Sequence, residues 1–212
     1  MGRRIRGLDA EQRREQRREQ LLDAALELFA RQGYAGTSIE QICQAGFVGT
    51  KAFYEVFTGR EDCYLALLRR ITESLMARMV SALEQAPDDD AAATRLLVAE
   101  FAHGLVDDPR LAKVTFGESG AMSRAVEQQR RANRRGAAAF LEQVWLRYGV
   151  RPRGVDAHRM AVGAIGGMFD LVADWVLDAD PADPAQVEAL IGDLGDFYRV
   201  IVAGLRGGAG PV

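Results

Sequence analysis

The feature that most limits what this chain can fold into is the punctuated stretch Thr37 to Tyr64, TSIEQICQAGFVGTKAFYEVFTGREDCY. Its apolar residues recur at helical spacing in runs too short for a long helix, and each run is bounded by a capping residue or a glycine. Thr37-Ser38-Ile39-Glu40 reads as a capping box, with the Thr37 oxygen accepting from a first-turn N–H and Glu40 reaching back to the cap. Ile39, Ile42 and Cys43 then share one face, and the Gly46 region breaks the helix. A second short helix opens at Gly49 or Thr50, and its apolar positions Val48, Ala52, Phe53 and Phe57 can close on the first. Thr58-Gly59-Arg60-Glu61 reads as another capping box, so a third helix begins there. Two short helices joined by a few residues form a helix-turn-helix unit, whose second helix can lie in the major groove of DNA.

The segment before this unit supports it. Residues 11–20, EQRREQRREQ, repeat every four positions and predict the solvated start of a helix, with Glu11 to Arg14 and Glu15 to Arg18 as compensating pairs. Its apolar face follows at Leu21, Leu22, Ala25, Leu26, Leu28 and Phe29, and Gly33 ends it. The net charge of -3 looks wrong for a DNA binder until it is divided: residues 1–18 hold seven arginines against three acids. Local charge is what a polyanion meets, so the basic end matters more than the sum. Residues 1–10, with Arg3, Arg4 and Arg6, read as a flexible basic arm, or more simply as a solvated tail.

Leu22-Asp23-Ala24-Ala25-Leu26-Glu27-Leu28-Phe29, Gly33-Tyr34, Thr37-Ser38-Ile39, Phe53-Tyr54-Glu55-Val56-Phe57 and Arg60-Glu61 together resemble the DNA-binding domain of the TetR (tetracycline-repressor-like) family. The resemblance covers about the first 64 residues. It departs from the family pattern at Phe47, which stands where the family usually has glycine, and at Gly49, which replaces a serine that contacts phosphate. The resemblance implies an all-α protein: an N-terminal three-helix helix-turn-helix domain, here 11–64, and a C-terminal helical ligand-binding and dimerisation domain, here 65–206, with 207–212 as a tail. It also implies that Tyr54 donates its hydroxyl to a backbone phosphate and that Arg60 contacts phosphate. From side-chain chemistry, Thr50 and Lys51 at the start of the second short helix can reach base edges or phosphates, and Thr37 and Ser38 can touch the same strand.

Beyond Tyr64 the pattern stays helical. Leu65, Leu68, Ile71, Leu75, Met79 and Leu83 form a stripe along a helix of about 40 Å, stopped at Pro87-Asp88-Asp89-Asp90. A fifth helix is expected over 91–106, a short helix and a bend from Asp108-Pro109 to Gly120, and a seventh helix over 121–148. Arg124, Arg130, Arg131, Arg134 and Arg135 crowd the first half of that helix, as a solvated face or as an anion site for a ligand or for DNA. A helix over 156–178 carries Gly163, Gly166 and Gly167, which suggest close backbone approach, and the last helix, from Pro184, has an apolar surface wider than one stripe. In the resembled family the last two helices pair with their copies. Gly163, Gly167, Ile191, Leu194, Tyr198 and Ile201 are therefore the expected dimer interface, the simpler reading being that the glycines admit a neighbour in the same chain.

The resemblance further implies a small-molecule effector among the middle helices and control by repression of a palindromic operator. Phe101, His103, Phe116, Glu118, Met122, Phe140, Trp145, Met168, Phe169 and Trp175 are the candidate pocket residues; their mostly apolar chemistry fits a mostly hydrophobic ligand. An enzyme is disfavoured. The chain has only His103 and His158, no Cys/His ligand spacing, no phosphate-cradling glycine loop and no nucleophile motif, so neither metal nor cofactor is expected. Cys43 and Cys63 read as small core side chains. No run approaches 18 uninterrupted apolar residues and the arginine-rich start lacks a signal peptide's apolar segment, which predicts a cytoplasmic protein without a membrane partner. The competing class is a helical interaction protein that keeps the helix-turn-helix fold with little specific DNA affinity.

Overall fold

The computed structural model describes residues 10–116 and 123–207, and every regular element among them is an α-helix. In chain order these are α1 Ala10–Gln32, α2 Ile39–Ala45, α3 Thr50–Tyr54, α4 Arg60–Gln85, α5 Asp90–Val106, α6 Pro109–Phe116, α7 Arg124–Arg147, α8 Ala157–Asp178 and α9 Pro184–Gly207. The arm expected over 1–10 lies outside the described residues except for Ala10, which opens α1, and the tail does so except for Gly207, which closes α9. The seventh helix begins at Arg124 rather than 121, because the Ser123 hydroxyl accepts from the N–H groups of Ala125 and Val126.

Two apolar clusters hold the helices. The N-terminal one gathers Leu21, Leu22, Ala25 and Phe29 of α1, Ile42 and Cys43 of α2, Phe53 and Phe57 around α3, and Cys63 to Ile71 of α4. Val114 of α6 and Val126 of α7 complete it. A boundary at residue 64 therefore runs through a packed core: two turns of α4 beyond that point belong to the head. The C-terminal cluster is built by α4, α5, α7, α8 and α9 around Phe101, Trp145, Met168 and Leu194. Its α4–α5 corner is pinned by α7, where Arg147 donates to the carbonyls of Leu83 and Ala86 and the Tyr148 hydroxyl donates to the Pro87 carbonyl at 2.8 Å. These contacts add side-chain donors where the chain leaves α4: the Leu83 carbonyl, which also accepts from the Ala86 N–H, and the Ala86 and Pro87 carbonyls just beyond the helix.

Helix α8 is long and apolar enough to cross a membrane by length and composition. Its buried residues Ala161, Ala164, Ile165, Met168 and Val172 pack into the C-terminal core, while Asp170 and Asp174 are exposed. One helix that meets that test, packed along one face and carrying exposed acids, gives no reason to invoke a bilayer.

Candidate nucleic-acid interface

The tri-helical head is organised by its caps. Ser38, not Thr37, caps α2: its hydroxyl accepts from the Gln41 N–H at 3.2 Å, and the Gln41 side chain accepts from the Ser38 N–H at 2.8 Å. The capping box is thus shifted by one residue, with glutamine in place of the expected Glu40. Thr37 is 1% exposed and donates its hydroxyl to the Gly33 carbonyl at 2.8 Å, so it ties the α1–α2 turn and has no surface to offer a DNA strand. The second expected box is also replaced. Gly59 precedes α4 without a side-chain cap, and Asp62 reaches back to accept from the Thr58 N–H at 2.9 Å.

The turn between α2 and α3 places Gly46 against α1, where a Cβ would meet the Gln20 carbonyl at 3.1 Å. The following residue, Phe47, takes φ 52. Gly49 caps α3, and Val48, Phe53 and Phe57 turn inward to the core while Thr50, Lys51 and Tyr54 face outward. Tyr54 is 57% exposed with its ring edge on Phe53, so its hydroxyl end is presented to solvent. Arg60 differs from expectation. Its guanidinium lies over the Tyr34 ring at 4.4 Å and donates to the Thr37 carbonyl, so it braces the α1–α2 turn from α4. Arg17 of α1 pairs with Glu55 at 3.2 Å across the exposed edge of the head.

Between α4, α6, α7 and α8 lies a cavity of about 240 Å³. Its apolar walls are Leu68, Ile71, Leu75, Met76, Leu105, Phe116, Ala137, Phe169 and Ala173, and Thr72, Thr115, Arg130, Asn133, Arg134 and Asp170 add polar groups. Gln129, Asn133 and Thr72 form a hydrogen-bonded chain along one side, at 2.8 Å per link. The arginine cluster of α7 is therefore divided: Arg130 and Arg134 line the cavity, whereas Arg124, Arg131 and Arg135 face water, Arg131 pairing with Glu127 at 2.9 Å.

Two hydrogen bonds tie α6 and α7, which help to wall this cavity, to α4 in the head. The Tyr64 hydroxyl donates to the Val114 carbonyl, and burial pushes its phenol up from its usual range, partly offset by Arg130. The Ser123 hydroxyl, which caps α7, donates to Glu61 in the first turn of α4 at 2.7 Å.

Residues 21–67 match the family described as bacterial regulatory proteins, tetR family. The chain is 32% identical over 177 residues to the HTH-type transcriptional regulator TcmR of Streptomyces glaucescens, covering 77% of this chain and 74% of that protein. The chain belongs to the TetR family. The HTH-type transcriptional activator FasR of Mycolicibacterium smegmatis is 27% identical over 173 residues, covering 80% of this chain and 77% of that protein. Among solved structures, the fatty acid degradation regulator FadR from Bacillus halodurans matches the fold with a TM-score of 0.75 at 21% identity, over 90% of this chain and 96% of its own. FadR from Bacillus subtilis, solved in complex with stearoyl-CoA, matches with a TM-score of 0.73 at 23% identity, over 88% and 98%. This TetR-family chain is thus a transcriptional regulator and not an enzyme.

Of the pocket residues expected in this TetR-family chain, Phe116 and Phe169 line the 240 Å³ cavity. Phe101, Phe140 and Met168 line a separate void of about 50 Å³ in the C-terminal core. Trp145 is buried in that core, Trp175 packs on its edge, and His103 sits at the surface with Nδ1 2.7 Å from Asp107. Glu118 and Met122 lie outside the described residues. Thr72, Thr115 and Asn133 were missed because single hydroxyls and amides on long helices carry no pattern; the one legible signal was the arginine cluster.

The interface expectations divide in the same way. Leu194 and Tyr198 are buried in the protomer's own core, and Gly167 faces the Phe197 ring of α9, where a Cβ would lie 2.5 Å from it. For these three the intrachain neighbour is the right reading. Gly163 is exposed with open space beyond it, and Ile191 and Ile201 are partly exposed.

Proposed function

We propose that this TetR-family regulator acts as a dimeric, cytoplasmic repressor that binds a palindromic duplex operator and is released by a small, mostly hydrophobic effector held between α4, α6, α7 and α8. The observation that carries this reading is the connection of an outward-facing Lys51–Tyr54 surface, through Tyr64–Val114 and Ser123–Glu61, to helices that wall an apolar cavity. An effector shifts the equilibrium only if it prefers the DNA-incompetent arrangement, and a cavity bounded by the same helices that complete the head's core supplies a place for that preference.

Lys51, Thr50 and Tyr54 form the DNA-contacting set, with Gly49 and Ser38 at its edge and Arg60 acting by bracing the turn. Dimerisation is supported by helix faces that the protomer leaves uncovered. Leu177 is 78% and Val200 72% exposed, and only 28% of the apolar window of α8 is buried. Val162, Gly166 and Val176 of α8, with Ile201 and Gly204 of α9, recur at helical spacing beside them. A second copy covering these faces would set two recognition helices on one duplex.

The effector's chemistry follows from the cavity wall. Apolar side chains dominate, and Arg130, Arg134, Thr115 and Asn133 offer donors at its polar side, which suits a compact apolar molecule bearing an acceptor or anionic group. Stearoyl-CoA, held by the Bacillus subtilis protein, likewise joins an apolar chain to an anionic head but is far larger than this cavity. The test is in vitro transcription from the bound promoter with and without candidate effectors. Repression relieved by an effector supports the reading; stimulation, the behaviour named for FasR, would assign the opposite sign of control.

A further inference from the structure

Phe47 is the most exposed large apolar side chain among the described residues, at 96%, and the only described residue other than glycine with positive φ. Both features oppose the fold. A left-handed conformation is strained at a bulky residue and free at glycine, and an aromatic ring left in water forgoes the burial that makes such residues useful in cores. The conformation is imposed by its neighbours: the Gly46 N–H donates to the Ile42 carbonyl at 2.9 Å, the Phe47 N–H to Gln44 at 3.3 Å and the Val48 N–H to Cys43 at 3.0 Å. Val48 must turn inward to the core, and Gly46 must lie against α1, so the residue between them points outward.

We propose that Phe47 is a DNA-reading residue whose ring packs against a thymine 5-methyl group and the adjoining deoxyribose at the edge of the operator half-site. The occupant follows from continuity. Phe47 stands in the turn that leads directly into Thr50, Lys51 and Tyr54, the exposed residues of α3, so the duplex DNA assigned to those residues under the proposed function is the partner nearest to it. The thymine methyl is the apolar feature of the major groove, and a ring without hydrogen-bonding groups can recognise it and nothing polar. This inference rests on the DNA-binding reading above and adds to it a residue where the family usually has glycine.

The experiment is a coupling test by fluorescence anisotropy on a duplex enriched from the protein's own genome, with each thymine replaced in turn by deoxyuridine to remove one methyl. Wild type should lose roughly three- to tenfold in affinity at one position per half-site, the scale of a single lost apolar base contact. Phe47→Ala should lose a similar factor on unmodified DNA, lose nothing further at that position, and keep the wild-type salt slope, since no phosphate contact is removed. Phe47→Gly should melt several degrees higher than wild type while binding as weakly as Phe47→Ala, which separates a reading role from a folding role. Wild-type affinity in both variants, or a loss coupled to no methyl, overturns the proposal. A wild-type protein that prefers no fragment overturns the DNA-binding reading as well, so the two failures are distinguishable.

Discussion

The Tyr64 hydroxyl, buried in the head, donates to the carbonyl of Val114 across 2.9 Å, joining the first turns of α4 to the last turn of α6. The Tyr64 ring meets two others edge-on, with centroids 5.2 Å from both Phe29 and Tyr34. Val114 lies in the last turn of α6, and the phenol donates to its buried carbonyl there.

Tyr64→Phe keeps the ring packing and removes the hydroxyl that donates to Val114 and is hydrogen-bonded with Arg130. Leaving a buried carbonyl unpaired costs about 1–3 kcal/mol, so the variant should unfold at lower urea with an unchanged slope. Its DNA affinity should stay near wild type while its response to an effector weakens. Wild-type stability would mean that the bond holds nothing together.

Arg60 distinguishes bracing from simple charge. Arg60 stacks the face of its guanidinium on Tyr34 while an edge N–H donates to the Thr37 carbonyl, a pairing of face and edge that the compact lysine ammonium does not offer. Arg60→Lys should therefore lose nearly as much stability as Arg60→Ala, about 1–2 kcal/mol, and weaken DNA binding without changing the salt slope. Rescue of both stability and affinity by lysine would return Arg60 to a plain phosphate contact.

The cavity can be filled from within. Ala137→Met introduces a flexible side chain into the 240 Å³ space, and the naphthalene-sulfonate dye ANS, apolar and anionic, serves as a probe. Dye binding should fall about tenfold with DNA affinity unchanged. Undiminished dye binding would place the probe's site elsewhere.

Alkaline pH reports on groups that packing has kept protonated. Burial pushes the Cys63 thiol up to about 12 from 9.0 and the Tyr198 phenol up to about 12 from 10.0. Each is an acid whose folded pKa exceeds its unfolded one, so its contribution is fully present below the unfolded pKa and is lost as pH rises toward the folded value. The urea midpoint should fall steadily from about pH 9 upward, and Cys63 should resist thiol reagents at pH 8. A flat midpoint between pH 7 and 11 would contradict this burial.

How much of this was legible in the sequence depended on whether the signal was periodic. The apolar positions of α1 and the inward turn of Phe53 and Phe57 follow from spacing and are buried as expected. Cap chemistry was legible only to within one residue, because Thr37 and Ser38 are both good caps and the choice is made by the Gly33 carbonyl that takes the Thr37 hydroxyl. The bracing contacts of Arg60 were not legible, since nothing in the sequence places Tyr34 beneath it. Leu194 and Tyr198 show the limit most plainly: an apolar stripe says that a helix face is covered, and both the protomer's own core and a second copy could do the covering.

The most direct test is anisotropy of the purified protein on duplexes enriched from its own genome, against bulk DNA, across a salt series. The account predicts tight, fragment-specific binding that weakens steeply with salt. Tyr54→Phe should weaken it uniformly and Lys51→Ala should also relax base preference. Equal binding to all fragments, unaffected by Lys51 and Tyr54, would contradict it and leave a helical interaction module in place of a regulator.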